Sequence, residues 1–484
     1  MADARVLALD LGTSSVRALV FDERGAAVPG VLARRPTHLD ITDEGKAELD
    51  PDEVVGALTE CLDELAGGGG LDGVERVATS CAWHSVIALG ADGRRLTGAL
   101  TWADTRAAPL VAELRTRGDM DRLQAATGAR PHTLYWTVKL PWLARELSPT
   151  PARYLGLAEY VTGALLGDPT ASPSMASGTG LLELATATWD AQALELAGVD
   201  ARALPAVAGP GWAGRLGPEA ARRWPALAAA TWHPATGDGA ASNVGAGCVA
   251  PDRVAINIGT SAAIRVVEAA GRAGPLHRDL WRYLVDDRQV VTGAAFSGAG
   301  NLYAWLRQVT ALPEEGSVED ELAKVPPGSR GVVVMPYHAG SRPPLDLAAG
   351  SGAITGLSLA TTAVEILAAT LESVCYRLAA GYEALAATLP AEPEVVASGG
   401  AIVASRWWQQ TLANVLGRPV RVVDEPEASA RGAALVALGR SAEPQTLHVV
   451  EPDPEAVEAE RAARAAADAL ARRLGYLQEG APQP

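Results

Sequence analysis

Short apolar runs that stop abruptly on glycine or small hydroxyl residues recur along this chain, and they predict buried strands ending in ligand-sized loops. Residues 6–10 form the first run and Gly12-Thr13-Ser14-Ser15 the turn after it. Residues 16–21 are then an antiparallel return that closes on Asp22-Glu23-Arg24-Gly25. Further strands are predicted over 77–81, 254–258, 331–336 and 395–397. Helical stretches alternate with them. One is expected from Asp50-Pro51-Asp52-Glu53, where proline and acids suit a helix start, to about residue 66. Others are expected over about 107–117, over 362–389 behind a Thr362–Glu365 capping box, and over 428–439, where Gly432 suits close packing. Residues 139–216 read as mainly helical, and the tail from about 451 to 477 as an amphipathic charged helix. This alternation predicts an α/β fold.

The pattern also repeats itself. Residues 5–17 read RVLALDLGTSSVR and residues 253–265 read RVAINIGTSAAIR. Asp10-Leu11-Gly12-Thr13-Ser14 aligns with Asn257-Ile258-Gly259-Thr260-Ser261, while the closing arginines, Arg17 and Arg265, stand one residue out of register. The repeat predicts two similar domains, 1–242 and 243–484, facing each other over one nucleotide, with a helical tail from about 451. At 484 residues the chain is long enough for two cores. A formal charge of −16 without a basic run argues against nucleic acid or an anionic membrane as partner. No apolar segment reaches the ~18 residues of a membrane span. Cys61, Cys81, Cys248 and Cys375 have no metal or redox spacing, and the N-terminus leads straight into a strand, so a cytoplasmic protein is expected. The oligomeric state stays open, a homodimer included.

Several residues have the chemistry for a site. Asp238 stands between Gly237 and Gly239, where bare backbone lets a ligand approach an acid able to act as a base. The Gly12-Thr13-Ser14 and Gly259-Thr260-Ser261 turns offer N–H and hydroxyl groups to phosphate oxygens. Asp10, at its strand end, either holds a hydrated Mg²⁺ or caps the turn. At the end of the next strand, Trp83 could wall a sugar face and His84 donate to hydroxyls. Trp102 offers another ring, Asp104 could accept two vicinal hydroxyls and Arg106 could face a carboxylate, unless Asp104-Thr105-Arg106 only caps a helix. Gly300 opens a helix carrying Trp305, and Gly399-Gly400 leave bare backbone for an adenine or ribose ring.

Taken in order, these motifs resemble the FGGY family of carbohydrate kinases over about residues 5–440. LDLGTSSVR and NIGTS resemble its two phosphate segments, TGDGAASNVGAG its catalytic-aspartate loop, and SGGA with WWQQTLANVLGRPV its adenosine segment. The resemblance implies two actin-like ATPase (ribonuclease H-like) domains with a nucleotide and sugar cleft between them, and it implies ATP and Mg²⁺. Asp238 would be the base and Asp10 would hold Mg²⁺ through water. Gly12, Thr13, Ser14, Arg17, Gly259, Thr260, Gly300, Gly399 and Gly400 would surround the nucleotide. SCAWHSVIAL and LTGALTWADTR resemble the gluconokinase-like branch, which would place Trp83, His84, Trp102, Asp104, Arg106 and His132 on the substrate side. Trp83 replaces a methionine of that branch, Thr133-Leu134-Tyr135-Trp136 replaces its PMSP, and Gly340-Ser341-Arg342-Pro343-Pro344-Leu345-Asp346-Leu347-Ala348 replaces its acidic GERAPLWNP loop. Three bulky rings, Trp83, Tyr135 and Trp136, are therefore expected to reshape the pocket. The implied reaction is phosphorylation of a sugar or sugar acid, D-gluconate to 6-phosphogluconate in the first place. The alternatives are a ketopentose such as xylulose, a polyol or a cyclitol, and, in another class, a non-catalytic sugar- or nucleotide-binding regulator.

Overall fold

The computed structural model describes residues 5–342 and 350–477, so the loop positions Pro343 to Ala348 lie outside the described residues. Each half is built on one mixed sheet. In the first, the strand Arg5–Leu11 turns back into Ser15–Phe21, which pairs onward with Ala27–Pro36. On its other side Arg5–Leu11 runs parallel to Val74–Cys81, and Thr231–Trp232 and Thr236–Gly237 continue parallel beyond that. The second sheet repeats this plan. Arg253–Ile258 turns back into Ala262–Ala269, which pairs with Gln289–Phe296, while Glu394–Ser398 and Val420–Val423 follow in parallel on the other side. Both central strands are almost completely buried, so both read as near-continuous apolar runs.

The two hairpins differ by one residue. Leu11 pairs with Val16 across a four-residue turn, whereas Ile258 pairs with Ala262 across three. Arg17 therefore lies opposite Asp10, and Arg265 lies opposite Ala255, further from its turn. The single-residue slip seen in the sequence places these arginines differently.

The halves interlock at two helices. Asp238–Gly245, which spans the expected boundary at 242, crosses Ala428–Leu438. A Cβ on Gly432 would stand 1.7 Å from the Ala241 carbonyl oxygen, and one on Gly245 would stand 1.9 Å from that of Ala428. Although late in the chain, Ala428–Leu438 packs on the first sheet, where Ala430, Ala433, Ala434 and Ala437 meet Val6, Ala8, Leu19, Phe21 and Ala78. Its alanine content is what permits that approach.

Elsewhere the expectations need amendment. The helix over 107–117 is a 3₁₀ turn, Ala108–Leu110, followed by Val111–Arg115. The stretch 139–216 mixes short helices with small ladders, because strands as short as Leu182–Glu183 leave no periodicity to read. An unforeseen edge strand, Thr446–Val450, extends the second sheet; exposed along most of its length, it has no alternation to betray it.

The capping box at Thr362 and Glu365 is present and starts the long helix Ala363–Ala386. The C-terminal helix Pro454–Arg473 docks on it through Tyr376, whose hydroxyl donates to Glu460 Oε2 at 2.7 Å, and through an Arg377–Asp468 pair at 2.6 Å. Burial pushes the neighbouring Glu372 carboxyl up to about 8, with Glu460 adding to it, and pushes Glu460 up to about 7. Both folded values exceed the unfolded ones. Their contribution is thus fully present below the ordinary carboxylate range and is lost as pH rises through about 7 to 8. The C-terminal helix is expected to become more protease-sensitive from pH 6 to pH 9, and Glu372→Gln is expected to flatten that rise. Limited proteolysis followed by mass spectrometry reads both.

Candidate active site

Asp238 is brought to the centre of the molecule by register. Asp10, Ser80 and Thr236 lie side by side on adjacent parallel strands, so the chain emerges at Gly237-Asp238 two strands from the first turn. Asp238 is the first residue of its helix, and its Oδ1 accepts the Gly239 N–H at 2.8 Å. Burial raises its pKa above the ordinary carboxylate value; Arg265, the Gly239 N–H, Arg342 and the Trp83 N–H oppose that rise.

The glycines flanking this acid are explained by Trp83. Its indole Nε1 donates to the Ser174 carbonyl at 3.0 Å, and the ring lies where side chains of Gly237 and Gly239 would be, 1.8 and 2.8 Å from their Cβ positions. Trp83 is thus a buried floor beneath the Gly237-Asp238-Gly239 loop, which corrects its assignment as an open sugar wall. Tyr135 and Trp136 are corrected in the same way. The Tyr135 hydroxyl lies 2.6 Å from that of Tyr283 across the two halves, and Trp136 Nε1 donates to the Ser85 carbonyl at 3.1 Å. Trp83 meets Tyr283 edge-on at 5.0 Å, and Tyr283 stacks on Trp281 at 4.5 Å. Trp83 and Tyr135 thus join the contact between the halves, and Trp136 packs inside the first.

Two arginines to which the motifs gave no role face Asp238. Arg265 reaches it from the second hairpin, and Arg342 comes from the loop after the strand Val333–Met335. Each has its Nε buried without a hydrogen-bond partner. Burial lowers the pKa of both, Arg342 to about 10; the Arg265 guanidinium adds to the lowering of Arg342, while Asp238 opposes the shift of each. Arg342 also lies over the Trp102 ring at 4.2 Å, so Trp102 meets the opposite half of the molecule directly. The two guanidinium groups offer positive charge to an anion brought beside Asp238.

His84 lies on the first-half side of the same pocket. Its Nδ1 is 2.6 Å from the Gly178 carbonyl oxygen, which can only accept, so Nδ1 carries the proton and Nε2 is the acceptor. Burial lowers its pKa to about 3, leaving it neutral. The expectation that His84 donates to a hydroxyl is therefore reversed: it can accept from one. Its backbone is left-handed at φ 73°, a strain of about 1 to 3 kcal/mol for a residue with a side chain. His132 is buried nearby, with its Nδ1 accepting the Leu134 N–H at 3.2 Å.

Asp104 and Arg106 serve each other instead of a ligand. Asp104 is 1% exposed and accepts Arg106 Nη2 at 2.6 Å and the Ala47 N–H at 3.1 Å; Arg106 also pairs with Glu48. With the carboxylate occupied in this way, its sugar-binding assignment is withdrawn, and so is that of Arg106. Arg17 is likewise engaged, with Nη1 2.9 Å from Glu427 and 4.0 Å from Asp10. It ties the first hairpin to the loop before Ala428–Leu438.

On the second-half side the expected glycines converge. Gly300 and Asn301 donate their N–H groups to the carbonyls of Gly259 and Thr260, at 3.0 and 3.1 Å, joining the second hairpin to the helix Gly300–Val309. A Cβ on Gly300 would lie 2.5 Å from the Gly259 oxygen. Gly399, at φ 104°, sits against Ile258, and Gly400 is exposed at the start of Gly400–Ala404 with open space where a side chain would be. In the first hairpin, Gly12 donates to the Ser15 carbonyl at 3.1 Å, while Thr13 and Ser14 form the tip. Burial pushes Asp10 up to about 6; Ser80 and Arg17 oppose this, while Asp238 and Glu427 add to it. Mutually repelling carboxylates of this kind suit a hydrated divalent cation. No cluster of three metal-ligating side chains occurs among the described residues, so such a cation would need phosphate oxygens as well.

Comparison with known proteins agrees with this architecture. The sequence profile of the FGGY family of carbohydrate kinases, N-terminal domain, matches residues 5–245, and that of the C-terminal domain matches residues 254–439. A gluconokinase of Bacillus subtilis is 26% identical over 90% of this chain and 87% of its own length. A xylulose kinase of Streptomyces rubiginosus is 30% identical over 99% of this chain and 96% of its own. The crystal structure of a gluconate kinase from Lactobacillus acidophilus superposes with a TM-score of 0.87 at 25% identity, covering 98% of each chain.

Proposed function

Since this chain belongs to the FGGY family of carbohydrate kinases, enzymes that transfer a phosphoryl group to an alcohol, we propose that its acceptor is a sugar acid, with D-gluconate, giving 6-phosphogluconate, as the first choice. The observation that carries this reading is the pair Arg265 and Arg342 facing Asp238, each with a buried, unpartnered Nε. A carboxylate supplies the acceptors that such groups lack. The Bacillus and Lactobacillus relatives, named for gluconate, support the same choice.

In this reading Asp238 accepts the proton of the attacking hydroxyl, for which its raised pKa makes it a better base than an ordinary aspartate. Gly259, Thr260, Gly300, Gly399 and Gly400 hold ATP on the second half, and Gly12 and Thr13 close on its phosphates from the first. Asp10 would hold Mg²⁺ through water, and the cation would neutralise phosphate charge. His84 accepts a substrate hydroxyl at Nε2, and Trp102 stands beside it. We place the reaction in the cytoplasm: the four cysteines are buried and unpaired, as suits a reducing compartment, and among the described residues no helix is long and apolar enough to cross a membrane.

A neutral ketopentose is the second reading, favoured by the Streptomyces relative named for xylulose. The arginines would then face the transferring phosphoryl group instead. ADP release with ATP and Mg²⁺ separates the readings across D-gluconate, other aldonates, D-xylulose, D-ribulose, glycerol and a cyclitol. Turnover with aldonates is expected, and turnover with D-xylulose alone would replace the first reading by the second. Arg342→Met is expected to raise the KM for D-gluconate by about 10- to 100-fold, the worth of a charged hydrogen bond, and to spare any neutral acceptor. An equal fall in kcat for every acceptor would assign Arg342 to the phosphoryl group.

A further inference from the structure

Lys139 is the most deeply buried cation of the first half that the reaction leaves unused. It lies in the helix Trp136–Glu146 and is 1% exposed. Its Nζ donates to two backbone carbonyls, Thr101 at 2.6 Å and His84 at 3.2 Å. Burial lowers its pKa to about 7; Asp104 favours the charge and Arg106 disfavours it. Two neutral carbonyls compensate a buried ammonium poorly, and a methionine would fill the same space without desolvating a charge. Packing alone does not account for a lysine at this position.

The two carbonyls lead to two different parts of the cleft. His84 follows the strand Val74–Cys81 and holds a left-handed backbone that a residue with a side chain rarely adopts. Thr101 directly precedes Trp102, whose ring carries Arg342. The Thr101 hydroxyl and N–H both bind the Ala47 carbonyl, at 2.9 Å each, so this segment is anchored from its other side. His84 has one further anchor, its Nδ1 contact with Gly178. One ammonium therefore spans the gap between the His84 corner and the Trp102 segment, and it bonds to the strained residue itself.

We infer that Lys139 is a positioning residue for the acceptor side of the site: it holds His84 in its left-handed conformation at a fixed distance from Trp102, and so sets the affinity for the acceptor without touching it. The inference rests on the kinase activity of the family and is independent of whether the acceptor is a sugar acid.

The test is Lys139→Met in the full-length protein. KM is measured for each of D-gluconate, D-xylulose and glycerol that the parent phosphorylates, and for ATP. The acceptor KM is expected to rise by about tenfold or more, since displacements near 1 Å at a site of this kind cost up to about 100-fold. The KM for ATP is expected to stay within about twofold, because Lys139 bonds to none of the residues proposed to hold the nucleotide. A lysine that only supported packing would lower the melting temperature and leave both KM values unchanged, and that result would overturn the inference. A crystal structure of the variant gives a readout that needs no activity: His84 is expected to leave its left-handed conformation or lose its Gly178 contact, and retention of both would count against the role. Should the methionine variant fail to fold, Lys139→Gln keeps two N–H donors without the charge: an unchanged acceptor KM with both carbonyls still bonded in its crystal structure supports the role, and an unchanged KM with those bonds lost overturns it. A parent that phosphorylates none of the three acceptors would refute their assignment while leaving the structural readout of Lys139 intact.

Discussion

Asp238→Asn is expected to fold, to bind ATP and acceptor, and to lose roughly 10²- to 10⁴-fold in turnover, the range that a positioned general base contributes. The substitution is nearly isosteric. An asparagine oxygen can still accept the Gly239 N–H, now at 2.8 Å, so the start of the helix keeps its local bond. What disappears is the proton acceptor, together with the negative charge between Arg265 and Arg342. Removing that charge leaves the arginines uncompensated, so the KM for an anionic acceptor is expected to hold or fall while kcat collapses. This combination separates loss of the base from general damage, which would raise KM as well. The parent should also show an acid limb in kcat displaced upward from the ordinary carboxylate range, because burial raises the Asp238 pKa and the base works only when deprotonated. Turnover in the variant close to that of the parent would remove Asp238 from the chemistry.

The parts of this site that could be read from the sequence were those encoded locally. A strand followed by Gly-Thr-Ser is a self-contained signal, and its recurrence at residues 5–17 and 253–265 disclosed two sheets of the same plan. The capping box at Thr362 and the close-packed Gly432 are equally local, one set by a four-residue spacing and the other by the small residues around it. The errors have one common cause. Asp104 and Arg106 have the right chemistry for a ligand, but a partner 58 residues earlier in the chain, Glu48, completes an internal network with them. Arg17 likewise finds Glu427 only because a late helix returns to the first sheet. Arg265 had a trace in the sequence, the one-residue slip of the closing arginines, but its meaning depends on hairpin register. Arg342 stood in the loop compared with GERAPLWNP but was given no role there, and Lys139 had no trace, since each acts on residues far away in the chain. Resemblance could point to a substrate side, but it could not say which polar groups were already spent inside the protein.

Gly237→Ala is the second large effect, and its reason is space, not backbone freedom. Gly237 has φ −63° and ψ 139°, values any residue adopts. The added methyl would instead lie 1.8 Å from Trp83 Cε2 and 2.0 Å from its Nε1. The indole cannot easily give way: its N–H is bonded to the Ser174 carbonyl, Tyr283 meets it edge-on at 5.0 Å, and Gly178 would hold a Cβ only 2.5 Å from Cδ1. The main chain cannot slide freely either, since the Gly237 N–H donates to the Ser174 hydroxyl at 3.0 Å. Overpacking of this sort costs about 1 to 3 kcal/mol or more, and here the strain falls on the residue before Asp238, the proposed base. A lower melting temperature and near-complete loss of turnover are expected together. If the clash with the indole is the cause, Trp83→Leu should change the sign of the coupling: alanine at position 237 should cost little further stability in that background, although the smaller side chain itself leaves a cavity. Melting curves of the two single variants and the double variant decide it. An alanine equally damaging with leucine at 83 would mean that the glycine is required by something other than the ring, and the account of Trp83 as the floor of the Asp238 loop would fall with it.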